Sequence, residues 1–174
     1  MGITHPFNRA RAFVHAQSGP DRQQLLTICR AIQQAQSALQ ARAQPYLRQC
    51  RHCSGLCCRR IHVESIVFCP DIIYILTMAP QMETVIQSCL QHPHGLYGAD
   101  CIFLENGVGP CLFPPTVRPL ICITSFCFGT PKLGKSIQRL KRKFLTLQVW
   151  IWKQDMRLRW QGLKNAVRRR ANAG

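Results

Sequence analysis

The chain has 174 residues, 47% hydrophobic and 17% charged, which fits one folded domain with a real core and argues against an intrinsically disordered protein. Lys and Arg number 23 against 7 Asp and Glu, a formal net charge of +16, so the expected partner is anionic: nucleic acid, an acidic protein or a membrane surface. So few carboxylates argue against acid–base catalysis by paired carboxyl groups, and no apolar run approaches the roughly 18–20 residues of a transmembrane segment.

Residues 1–20 carry Arg9 and Arg11, no acid, and end at Gly19-Pro20; they read as a flexible lead-in. They lack the sustained apolar run of a secretory signal, and Pro6 stands where a myristoylation signal wants Ser or Thr. The expected compartment is therefore cytoplasmic, where thiols stay reduced, and an odd total of eleven cysteines agrees with that.

Asp21 sits where a helix N-cap belongs. Leu25, Cys29, Ile32, Ala35, Leu39 and Ala43 then recur at three- and four-residue steps, which predicts a helix over about 22–44 that stops near Pro45. Cys29 lies on its apolar face and reads as a small buried hydrophobe.

Next comes a tight cysteine cluster, Cys50, Cys53, Cys57 and Cys58, in a loop broken by Ser54-Gly55. Thiolates at two- and three-residue spacing can turn inward from one loop onto a single cation. The β-branched stretch 61–68 suggests a short strand, Pro70-Asp71 a helix start, and Val85, Ile86, Cys89 and Leu90 a further short helix over about 81–91. Cys69 and Cys89 read as buried apolar thiols.

A second cluster, Cys101, Cys111, Cys122 and Cys127, falls in a segment interrupted by glycine and proline, with short extended pieces at 102–104 and 121–124. Such a segment has too little regular structure to hold itself together, and metal ligation is a natural staple. Eight cysteines suit two four-ligand sites, or one site plus structural thiols. Zinc is favoured over an iron–sulfur cluster, because nothing in the spacing demands inorganic sulfide. His52, His62, His92 and His94 are alternative ligands. Arg118, placed before Pro119 inside the motif, is the expected donor to the bound thiolates.

From about 132 the pattern is helical again. Ile137, Leu140, Phe144, Leu147 and Ile151 form one stripe, and Met156, Trp160, Leu163 and Val167 continue it with a shift in phase. Thirteen of the 23 Lys and Arg lie between 132 and 170, with Asp155 the single acid there. The expected fold is α-rich, a small irregular α+β protein whose cysteine- and metal-stapled centre is flanked by an N-terminal helix and a long basic C-terminal helix. Its divisions are the lead-in at 1–20, the helix and metal-binding domain at 21–131, and the basic amphipathic helix at 132–174.

Cys50-x-x-Cys53-x-x-x-Cys57-Cys58, followed by Cys101-x-x-Leu104, Gly109-x-Cys111 and Arg118-Pro119-x-x-Cys122, resembles the bacterial YkgJ-type cysteine-cluster family. The resemblance covers roughly residues 50–127 and implies a zinc- or iron-chelating domain. This chain departs from the family by having three residues before the Cys-Cys pair, where many members have two. The acidic helix start common in relatives after the pair is missing here. A flagellin lysine methylase group shares the cluster, but no methyl-donor site is visible in this sequence.

Three functions follow as expectations. The first is a non-enzymatic metal-binding accessory protein, a carrier or sensor, whose basic helix docks an anionic partner. The second is a zinc-stabilised nucleic-acid-binding module. The third is an iron–sulfur redox or group-transfer enzyme.

Overall fold

A computed structural model describes residues 3–50, 67–91, 101–105, 110–125 and 131–171. Among them the protein is α-rich, with six helices: α1 (Thr4–Ala16), α2 (Gly19–Cys50), α3 (Cys69–Met78), α4 (Met82–Gln91), α5 (Leu120–Thr124) and α6 (Gly134–Ala171). A 3-10 turn at Pro131–Leu133 leads into α6. No described helix is long and apolar enough to cross a membrane.

The frame is an antiparallel pair of long helices. The expected stripe on α2 is buried throughout, from Leu25 to Ala43. It packs on Leu140, Phe144, Leu147 and Ile151 of α6, all buried. Polar bonds fix the antiparallel sense. The Gln154 amide donates to Asp21 Oδ1 at 2.9 Å near one end, and Arg42 Nη1 donates to Ser136 Oγ at 3.0 Å toward the other.

The helix α2 does not stop at Pro45, as its sequence suggests, but runs five residues further to Cys50. Proline removes one donor, leaving the Ala41 carbonyl without its i+4 partner at a cost of about 3 kcal/mol. Leu39 and Ala43 are already fixed in the core on the preceding turn, so the axis is set before the proline is reached.

Residues 4–16 are not a flexible lead-in. They form α1, and Ile3, Phe7, Ala10 and Phe13 are buried along one face, chiefly against α3. The Phe13 ring meets Trp150 of α6 edge-on, with centroids 5.9 Å apart. Arg9 pairs with Asp155 at 2.5 Å, and His15 lies 2.9 Å from Glu83. Gly19 makes the turn into α2 with a left-handed φ of +50°, which glycine adopts without penalty.

Helix α3 is the centre. Asp71 through Leu76 are all buried, so this short helix is enclosed on every side, as a helix apolar all round must be. Tyr74 packs edge-on against Phe144, and its hydroxyl donates to Gln36 Oε1 at 3.0 Å. The Gln36 amide donates in turn to the Pro115 carbonyl at 2.8 Å, and Gln40 donates to that same oxygen. A fully buried glutamine is affordable here because both halves of its amide have partners.

The β component expected from the sequence is not seen among the described residues. At 102–104 there is only an isolated antiparallel bridge, Leu104 to Cys111. The piece at 121–124 is helical, not extended: it belongs to α5, whose Ile123 side chain is buried. The preference of Ile and Thr for extended backbone yields to a distant cap on the first N–H of that turn. Residues 61–66 of the expected strand lie outside the described residues.

Candidate metal centre

The first cysteine cluster begins where α2 ends, with Cys50 as the last helical residue. Cys53, Cys57 and Cys58 lie outside the described residues, as do Cys127 and the histidines 52, 62, 92 and 94. Because α2 and α6 are antiparallel, Cys50 and the start of α6 share one end of the pair. The 3-10 turn Pro131–Leu133 leads into that end, and Cys127 precedes it in sequence.

Two members of the second cluster, Cys101 and Cys111, lie on two paired arms, 101–105 and 110–112. The first arm turns through Leu104 N–H to the Cys101 carbonyl at 3.1 Å, and the two arms are joined by Glu105 N–H to the Pro110 carbonyl at 3.0 Å and Leu112 N–H to the Phe103 carbonyl at 2.9 Å. The buried rings of Phe103 and Phe113, 4.5 Å apart, root the two arms in the core. Cys101 and Cys111 thus sit on opposite arms, each half-buried against the core.

Burial lifts the Cys101 thiol to about 11, opposed by the Phe103 N–H and reinforced by the neighbouring sulfurs of Cys111 and Cys89. That proximity brings in a residue which sequence reasoning set aside. Cys89 is buried on α4, as its helical spacing suggests, and lines one cavity with Leu104, Glu105 and Leu112 of the two arms. Only the packing of α4 on those arms reveals this. Cys29 is fully buried far from either cluster in sequence; burial raises its thiol to about 12, with Thr77 pulling the other way. Cys69 is half-buried, and burial raises its thiol as well.

Cys122 is exposed on the single turn of α5. That turn is placed by Asp71, whose Oδ1 accepts the Leu120 N–H at 2.8 Å while Oδ2 accepts the Phe68 N–H at 3.0 Å. Burial raises the Asp71 carboxyl above the ordinary range, against the pull of those two N–H groups. Two residues before Leu120, Arg118 holds its Nε buried with no hydrogen-bond acceptor among the described residues. A buried, unmatched guanidinium N–H is costly, and its natural complement is an anionic group such as a metal-bound thiolate.

No three His, Cys, Asp or Glu side chains among the described residues form a group able to hold a metal ion. The donor chemistry nonetheless suits a soft or borderline cation: thiols from the two arms and α5, with an arginine N–H in want of an anion. Ligation through Cys101 requires release of its proton, so any uptake there is coupled to pH. No family model, curated protein or solved structure matches this chain.

Proposed function

We propose that this chain is a YkgJ-type metal-binding cysteine-cluster protein of the cytoplasm, an accessory carrier or sensor that docks an anionic partner through its basic helix. Cys50, Cys53, Cys57, Cys58, Cys101, Cys111, Cys122 and Cys127 supply the thiolates, for zinc in preference to an iron–sulfur cluster. Bound zinc would neutralise the clustered thiolates and staple two irregular segments together.

The observation that carries this reading is the antiparallel pairing of α2 with α6. It brings Cys50, which opens the first cluster, to the same end of the helix pair as the 3-10 turn Pro131–Leu133, which follows Cys127 in sequence. The buried Nε of Arg118 adds to it, since a thiolate site gives that donor an acceptor.

Elemental analysis of anaerobically purified protein, with its absorption spectrum, tests the proposal. Stoichiometric zinc and no visible absorption are expected, and Cys53→Ser or Cys57→Ser should yield metal-poor or insoluble protein. A brown protein that bleaches on reduction would replace zinc by iron–sulfur. Full metal content with unchanged thermal stability in both variants would remove those ligands from the account.

A further inference from the structure

The inner face of α6 is committed to the core as far as Gln154, but its outer face carries a second apolar line. Leu145, Val149, Trp152, Met156 and Trp160 follow one another at steps of three or four residues and fall within about 80° of helical arc. All five are exposed, Trp152 and Trp160 at 61% each. Soluble helices rarely leave such a line uncovered.

Both borders of the line are cationic. Arg142, Lys153 and Lys164 lie along one side, Lys141 and Arg159 along the other, and all are exposed. The single carboxylate in the helix, Asp155, is bound by Arg9 and offers nothing to a partner. Lys164 Nζ stands 5.7 Å from the centroid of the Trp160 ring, so charge and aromatic surface are presented together.

The geometry points to an anionic lipid surface as the partner of this face, with α6 lying in the plane of the headgroups. This names the anionic partner of the proposed function and rests on the basic-helix part of that reading, not on the metal centre. A second copy of the chain is a poor occupant, because apposed faces would bring cationic borders together. Duplex nucleic acid would match the lysines and arginines but leave Leu145, Val149 and Met156 in water. A partner that wraps a basic helix in a groove needs more than one free face, and α6 has only this one up to Gln154. A planar interface takes the apolar line and its cationic borders at once, and tryptophan is the side chain best suited to that depth. No described helix can cross the bilayer, so α6 rests on it.

The test is co-sedimentation of the full chain with vesicles of phosphatidylcholine alone and of equimolar phosphatidylglycerol and phosphatidylcholine, with tryptophan emission recorded in parallel. Binding to the mixed vesicles with a blue shift is expected, and little binding to phosphatidylcholine alone. The exposed double substitution Val149→Gln/Met156→Gln should weaken partitioning by roughly tenfold or more. Trp160→Gln, at a position itself exposed, is the second variant should the first fail to fold. Absence of binding that depends on phosphatidylglycerol, including binding confined to duplex DNA, would overturn the inference. So would polar variants that fold and bind as tightly as the parent. Metal analysis of the same samples separates the two readings: metal retained without vesicle binding refutes only the lipid surface, and vesicle binding without metal refutes only the metal centre.

Discussion

The carboxylate of Asp71 accepts the backbone N–H of Leu120 at 2.8 Å, joining the first turn of α3 to the first turn of α5 across 49 residues of sequence. Its other oxygen caps its own helix through the Phe68 N–H. One buried side chain therefore sets both helix starts, and with them the position of Arg118, Pro119 and Cys122.

Asp71→Ala should strand two backbone donors and cost about 2–4 kcal/mol, read as a lower midpoint in urea unfolding. Asp71→Asn should fall between parent and Ala, because only one of its side-chain atoms can still accept. An unchanged midpoint for Asp71→Ala would deny the double cap.

Gln36→Ala removes the bridge between the Tyr74 hydroxyl of α3 and the Pro115 carbonyl. A loss of about 1–3 kcal/mol is expected. Tyr74→Phe should cost less than Gln36→Ala, since it leaves the Gln36 amide bound to Pro115. The reverse order in matched denaturation curves would contradict the bridge.

Phe7→Ala should destabilise the protein by roughly 3–5 kcal/mol, because Phe7 is almost fully buried in the face that α1 turns to the core. Thermal melts of the full chain provide the comparison. Indifference to this change would restore residues 1–20 to the status of an appended segment.

Cys29 links stability to alkaline pH. Its folded thiol titrates at about 12 against an ordinary 9.0, so the unfolded chain releases this proton first. Stability from this group is whole below about pH 9 and is lost as pH rises toward 12. Cys29→Ala should flatten that alkaline decline relative to the parent when urea midpoints are followed against pH. Parallel profiles for the two proteins would show that the thiol is not buried.

The line from Leu25 to Ala43 repeats at helical spacing over five turns, and the whole of it is buried, so α2 is readable up to its proline. The α1 face, Phe7, Ala10 and Phe13, has the same spacing, but it is short and set among His, Asn and Arg. Its stability comes from the α3 surface that receives it. The phase shift after Ile151 is also legible, and its meaning is now clear: Met156 and Trp160 leave the core for the exposed face. Helix α5 could not be read locally, since its cap comes from Asp71. At the candidate centre the cysteine spacing is plain in the sequence. The placement of Cys89 beside Leu104 and Leu112, and the Arg118 Nε without an acceptor among the described residues, depend on tertiary packing alone.

X-ray absorption at the edge of the bound metal addresses the central claim most directly. The account predicts a first shell of four sulfurs at about 2.3 Å, diminished when Cys57 or Cys111 is replaced by Ser. A shell of oxygen and nitrogen alone, or protein that folds fully with no stoichiometric metal, would contradict it.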